Sequence, residues 1–210
     1  MKLFFDLLLI LFGGFWLFMA ARGVRDDLKR DGRLKWLLAI SGLVGLLGFG
    51  GFSAQAFSAE GIIKLPKSYE WPAGYASNVI TTAEGKHVVP VVPAGRVQLY
   101  NSDWHFVRGW NVNALGGDFK VAANSSGTIE VFTARGEHHY TFNENGDLIS
   151  STQLSGSYNS LTDTGQSVVV HTPLLLWPFS NPFISVGVGT FGLLGLAQVK
   201  KLKSKAPSPN

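Results

Sequence analysis

The sequence predicts a membrane protein of mixed class: three transmembrane helices, with an antiparallel β-sheet domain inserted between helices 2 and 3 as a small sandwich or blade-like meander. Three observations predict it. Charged residues make up 15% of the 210 and hydrophobic residues 46%, whereas an average soluble domain carries about 25% charge. Three apolar stretches have the length of a membrane helix, for which roughly 20 residues are needed. Between the second and third, short runs of β-branched and aromatic residues alternate with Gly, Asn and Asp. The composition excludes a disordered or collagen-like chain, since the 25 glycines follow no fixed period. Cysteine is absent, which excludes disulfides, thiolate metal sites and cysteine nucleophiles within this sequence.

The elements follow in chain order. Residues 1–21 are expected to form the first transmembrane helix. Its apolar run, Leu3 to Ala21, carries one charge, Asp6, near its start. A cleaved signal peptide competes for this stretch, with Lys2, the apolar run and Met19-Ala20-Ala21 as its marks. Asp6 interrupts that run, and cleavage would leave six basic residues on the outer side of the second span. Residues 22–35 form a basic loop holding Arg22, Arg25, Lys29, Arg30, Arg33 and Lys35. The second helix occupies 36–59, without a charge. The β domain is expected at 60–172 and the third helix at 173–199, opened by Trp177, Pro178 and Pro182. A basic tail, 200–210, carries Lys200, Lys201, Lys203 and Lys205.

Charge sets the expected orientation, because positive loops stay cytoplasmic. Ten of the 18 basic residues lie in the 22–35 loop and the tail. Both are therefore placed in the cytoplasm, with the N-terminus and the β domain outside. The setting is a plasma membrane, and a cysteine-free external domain suits a bacterial inner membrane. The net charge of +4 belongs to these flanks, where it favours anionic lipid. Residues 60–172 carry seven basic against ten acidic side chains. The lipid bilayer is thus the expected partner and nucleic acid is not.

Small residues recur within the spans. Ser41–Gly45 and Ser185–Gly189 have the small-xxx-small spacing that lets helix backbones approach. Packing within the bundle is favoured over the plain abundance of Gly in membrane helices. The spans hold no ionisable residue beyond Asp6, which argues against a pump or a proton-coupled transporter.

In the β domain, strands are expected at Ser77–Ala83, His87–Val92, Arg96–Tyr100, Phe106–Val112, Phe119–Ala123, Thr128–Thr133, His138–Phe142, Asp147–Thr152 and Ser167–His171. The turns between them read AEGK, NSD, LGGD, NSSG, ARGE and NENG. Short strands at regular spacing with such turns indicate an antiparallel all-β domain. A 42-residue shift places Gly85 on Gly127, Val89 on Val131, Tyr100 on Phe142, Asn101 on Asn143, Phe106 on Leu148 and Val107 on Ile149. A period in the low forties matches one four-stranded propeller blade. The segments RVQLYNSDWHFVRGW and GGDFKVAANSSGTIEVFTARGEHHYTFNENGDLI resemble blades of NHL-type β-propellers over residues 83–150. The resemblance implies a surface for protein or ligand binding and no particular chemistry. A closed propeller needs about four to eight blades, and two leave open edges. The domain is therefore either a small sandwich or open barrel, or a part completed by other chains, as three chains of two blades would complete six.

His87, His105, His138, His139 and His171 all fall in the β domain. The adjacent His138 and His139 must point to opposite faces of a strand, so a shared metal is not expected. Asp163-Thr164-Gly165 matches the aspartic-protease triplet, but its flanks and the absence of a second motif favour a polar turn. Asn143, Asn145 and Asp147 lack the twelfth-position Glu of a calcium loop, and Asn145-Gly146 reads as a hairpin turn. Asn124-Ser125-Ser126 fits a glycosylation acceptor. Tyr69, Trp71, Tyr75 and Trp177 are expected as interfacial anchors, while Trp104 and Trp110 are expected in the core. No catalytic, cofactor-binding or metal-binding residue is assigned. The expected function is a non-enzymatic multi-pass membrane protein whose external β domain binds a protein or envelope ligand. It would act as a homo-oligomer or with another membrane protein. The competing readings are an accessory subunit of a membrane enzyme or transporter complex, and an enzyme at the outer face.

Overall fold

A computed structural model describes Phe18, Arg22 and residues 35–124, 127–162 and 165–205. The first predicted helix and the basic loop thus lie outside the described residues, apart from Phe18, Arg22 and Lys35. Asp6, Arg25, Lys29, Arg30, Arg33, Ser125, Ser126, Asp163 and Thr164 also lie outside them. The described chain forms two compact units. One comprises the described residues up to Ser53 and from Asn181 onward, the other Ala54–Ser180.

Two apolar helices dominate the first unit, α1 (Lys35–Ala59) and α2 (Pro182–Lys205). Both are long and apolar enough to cross a membrane. The α1 run contains no charge after Lys35, and its inward stripe is Leu38, Gly42, Gly45, Gly48 and Gly51. On α2 the stripe is Ser185, Gly189, Gly192 and Val199. Spacings of three and four residues put each stripe on one helix face. The two stripes meet. A Cβ on Gly48 would sit 2.6 Å from the Ser185 carbonyl oxygen, one on Gly192 2.7 Å from the Ser41 carbonyl oxygen, and one on Gly195 2.7 Å from the Ser41 hydroxyl. The index rises along α1 as it falls along α2, so the helices run antiparallel. Backbones this close leave no room for a side chain, which is what small residues at a helix seam provide. Outside the seam the helices expose Trp36, Ile40, Leu43, Phe183, Phe191 and Leu194.

The helix ends follow local chemistry. At the C-terminus of α1, Gly61 has φ +71°. The Ile62 N–H donates to Phe57 O at 2.9 Å and the Gly61 N–H to Ser58 O at 2.9 Å, a Schellman motif that satisfies the last carbonyls. At the start of α2, Asn181 Oδ1 accepts from the Phe183 N–H at 2.8 Å and Pro182 takes the first helical position, where its missing N–H costs nothing. The predicted third span began at residue 173. The chain there forms instead a 3₁₀ helix, Leu174–Phe179, because Pro178 and Pro182 cannot donate within an α-helix. At its other end α2 continues through the lysines to Lys205, where positive charge favours the helix dipole.

The second unit holds nine antiparallel strands: β1 (Tyr75–Thr81), β2 (His87–Val91), β3 (Arg96–Tyr100), β4 (Phe106–Asn111), β5 (Phe119–Ala123), β6 (Ile129–Thr133), β7 (His138–Phe142), β8 (Leu148–Gln153) and β9 (Gln166–Val169). Each lies within two residues of its predicted position. The first sheet has the order β4-β3-β2-β1-β9 and the second β5-β6-β7-β8. The two pack over one core that contains Val88, Val97, Leu99 and Trp110 from the first, and Phe119, Val121, Ile129, Val131, Tyr140 and Phe142 from the second. Fully burying each such side chain stabilises by about 1.5–3 kcal/mol, so this layer holds the sandwich together.

The 42-residue repeat is also a repeat of structure. Strands β2, β3 and β4 recur at that offset as β6, β7 and β8. Register irregularities fall at Leu99/Tyr100 and again at Thr141/Phe142. The turn bonds Thr82 N–H to Lys86 O and Gly85 N–H to Thr82 O recur as Asn124 N–H to Thr128 O and Gly127 N–H to Asn124 O. The packing is head to tail. Val89 faces away from the second sheet, whereas its repeat partner Val131 faces the first. A further blade would therefore meet the outer face of the first sheet, and that face is already filled. Trp71 and Ala73 from the preceding segment pack there with Val89, Val91 and Ala76. The unit is a two-sheet sandwich of blade-like meanders.

Candidate binding surface of the β unit

Strand β3 puts Arg96, Gln98 and Tyr100 on the outer face of the first sheet, each at most 1% exposed. They clamp the segment that follows α1. The Arg96 guanidinium donates to Pro66 O and Tyr69 O at 2.8 Å and to Asn111 Oδ1 at 2.9 Å. Burial lowers its pKa; the ring of acceptors compensates the charge without a carboxylate. Gln98 accepts from the Trp71 N–H and donates to Trp71 O at 3.0 Å. The Tyr100 hydroxyl donates to Glu70 Oε1 at 2.8 Å. Its pKa is raised, first by burial and then by that bond. Gly109 is required beneath this row, since a Cβ there would lie 2.8 Å from Arg96 Nε. This row is structural: its polar atoms are spent on main-chain and side-chain groups of the chain itself.

The exposed feature lies one turn further on. Asn101 opens the β3–β4 turn; its side-chain oxygen accepts from the Asp103 N–H at 3.0 Å and the His105 N–H at 2.8 Å. The Trp104 N–H donates to Asn101 O at 3.1 Å. Trp104 thereby takes φ +62°, a left-handed conformation that costs an L-residue roughly 1–2 kcal/mol. The equivalent turn between β7 and β8 has the same bonds around Asn143 and puts Gly146, φ +69°, at the matching position. Trp104 remains 38% exposed. One face of its indole is stacked on the His87 ring, centroids 4.0 Å apart and planes within 10°. His87 Nδ1 lies 3.1 Å from Thr81 Oγ1. Asp103 and His105 flank the indole and are exposed. A rigid aromatic plate with polar groups on its rim suits stacking against a flat or CH-rich ligand face.

The sequence-predicted sites fall as follows. Tyr69 and Tyr75 are exposed and Trp177 is half-buried, its indole N–H bonded to Thr172 O at 3.1 Å. Trp71 is not an exposed anchor: it is 5% exposed and its indole N–H donates to Phe179 O at 2.8 Å, because the outer face of the first sheet needs an apolar cover. The structure exposes instead Leu174 and Leu175, 83% and 78% accessible, an apolar pair that the Pro-bounded 3₁₀ turn holds outward. Ser41, Gly45, Ser185 and Gly189 come together in the helix seam, with Gly48 and Gly192 as further members that the continuing three-residue spacing could have revealed. Arg22 and Lys201 are exposed; the side chains of Lys35, Lys200, Lys203 and Lys205 lie outside the described ones. Trp110 is core, as expected, and Trp104 is at the surface, against expectation. The reason is the turn geometry, which puts residue 104 beyond the end of β3, where the indole packs on His87 and stays 38% exposed.

The other chemical candidates are dispersed. His138 and His139 point to opposite faces of β7, and His139 stacks on Phe132 at 4.6 Å. Among the described residues no group of three His, Asp or Glu side chains could hold a metal ion. A cleft of about 70 Å³ between Glu70–Ala73 and His171–Leu176 has room for a few waters. No protein-family profile matches the chain, and no characterised protein is significantly similar to it in sequence.

Proposed function

We propose that this chain is a non-enzymatic multi-pass membrane protein that presents its β unit outside the cytoplasm, and that the Trp104 turn binds a protein or envelope ligand there. The membrane reading is supported by the two apolar helices and by their outward-facing aromatic and aliphatic side chains. The orientation rests on the basic residues at 22–35 and 200–205. A chain that leaves α1 and returns through antiparallel α2 puts the intervening residues on one side of the bilayer.

The observation that carries the binding site is the conformation of Trp104. A turn selected for folding alone would use glycine at this position, as the matching turn does with Gly146. Strain of this kind is typical of functional sites, and a partly exposed Trp is a frequent binding anchor. The test separates the two roles. In the full chain, Trp104→Gly should change stability by no more than about 1 kcal/mol, because relief of the left-handed strain is set against the lost stacking on His87. A photoreactive residue at position 105 in intact cells should trap a protein or envelope component, and Trp104→Gly should abolish the adduct. No adduct, or one that survives the substitution, rejects the site. Sidedness is read separately: a cysteine at Ser102 should react with an impermeant reagent in intact cells.

A further inference from the structure

The repeat provides an internal control on the sheet edges. In the first sheet the outer edge is β4, and the Gly109 N–H, which points outward, donates to Lys67 O at 2.8 Å. The segment after α1 thus covers that edge through the turn at Lys67. The matching strand in the second sheet is β8, and Ser151 matches Gly109 in register, as Gln98↔Gly109 and Tyr140↔Ser151 show. All six residues of β8 are exposed, and among the described residues the Ser151 N–H has no main-chain partner beyond its own sheet. Edge strands are usually guarded by Lys, Pro or a covering segment. β8 reads Leu148-Ile149-Ser150-Ser151-Thr152-Gln153, with no charge and no proline, and its bulge at Ile149 leaves Ser150–Gln153 regular.

We infer that β8 is a pairing edge and that its partner is β8 of a second copy of this chain. By the repeat, Ser151 and Gln153 direct their main-chain groups outward, while Ile149 is the extra residue of a β-bulge. An antiparallel pair of β8 strands about a two-fold axis at Ser151 then bonds Ser151 to its own copy and brings Gln153 opposite the bulged Ile149. Ser150 faces Thr152 across the axis, a favourable hydroxyl pair, and Leu148 faces Leu154. No like charges oppose one another within the paired strands, and a closed two-fold contact ends the assembly at two chains. The inference is independent of the Trp104 site, which lies on the other sheet.

The test uses the full chain in mild detergent, with mass measured by light scattering over a hundredfold concentration range. A dimer is expected. Ser151→Pro removes the outward N–H at an edge position where proline is tolerated, and Ile149→Lys adds a guarding charge. Each should weaken dimerisation at least tenfold without lowering the unfolding midpoint by more than a few degrees, and a fault in folding one variant leaves the other to decide. Mild oxidation should link Ser151→Cys chains, since directly paired residues lie within disulfide reach, and should not link Ser102→Cys chains. A monomer throughout the range overturns the inference. So does a dimer indifferent to both substitutions, or a different protein found in stoichiometric amount on β8.

Discussion

The two sheets of the β unit share one backbone plan and differ in what covers them. At the 42-residue offset, Arg96, Gln98 and Tyr100 of the first sheet match His138, Tyr140 and Phe142 of the second. The first three face a main-chain segment and the last two a hydrophobic sheet. A covering segment outside helix and sheet brings carbonyls and N–H groups that need partners, so the strand below it must carry donors and acceptors. A covering sheet has its main chain already bonded and brings apolar side chains, so the strand below it carries Tyr and Phe. The cover therefore dictates the side chains, and the same meander accepts either set. The far side of the second sheet is covered only in part, by the segment around Tyr158. Lys120 reaches over the Tyr158 ring and donates to Leu161 O there, while Glu130, Phe132 and His139 stay half-buried.

The largest expected effect tests that contrast directly. Arg96→Ala leaves three carbonyl-type acceptors without their donor and empties the space of a fully buried side chain, and should destabilise by roughly 3–5 kcal/mol. His138→Ala at the matching position should cost less than about 1.5 kcal/mol. Denaturant unfolding of the full chain in detergent measures both. Equal losses would mean that the buried polar row is not what ties the preceding segment to the sheet. The next effect concerns the matched turns. Gly146→Ala adds a Cβ 2.6 Å from the Trp110 ring in a left-handed conformation and should destabilise by about 2–4 kcal/mol. Trp104→Gly at the same register should cost far less, because strain relief offsets the lost stacking on His87. A loss as large as that of Gly146→Ala would break the argument that Trp104 is strained.

The smallest effects come from two ion pairs that bridge the sheets at the β7–β8 turn, Lys67–Asp147 at 2.5 Å and Lys86–Glu144 at 2.5 Å. Lys67, then Asn143, holds the Asp147 carboxyl below its ordinary value. Its contribution is present above the unfolded pKa near about 3.9 and is lost as pH falls through the lowered folded value. Glu144, then Glu84, raises the Lys86 pKa. That contribution is present below about 10.4 and is lost as pH rises through the raised value. Tyr100, raised by burial, adds a loss of the same sign above about 10. Melting temperature against pH should therefore be flat near neutrality and fall at both extremes. Lys67→Met should remove part of the acid limb, and Lys86→Met part of the alkaline limb. A profile unchanged in both variants would show that the bridges do not join the sheets energetically.

Much of this architecture is readable in the residues themselves. Charge-free runs fix α1 and α2, because lipid-compatible helices need length and apolarity and little else. Alternation and Gly/Asn punctuation fix nine strands, because a sheet needs period two and its turns need left-handed residues, which five of the six predicted turns supply at Gly85, Gly116, Gly127, Gly136 and Gly146. The 42-residue repeat identifies two equivalent meanders. The seam partners were half legible: Gly45 and Gly189 stand out by spacing, whereas their contacts depend on helix register. What only the tertiary structure decided is which face each strand presents and what lies on it. Nothing local distinguishes Trp71, buried under a sheet, from Tyr69, exposed two residues earlier. Nothing local makes Arg96 a buried clamp, or shows that one outer edge is covered by Lys67 and its repeat is open. Burial is a property of segments brought together across long chain separations, whereas periodicity and turn chemistry are properties of neighbours. The sequence alone determines the elements; the packing of remote segments determines which of them remain available to a partner.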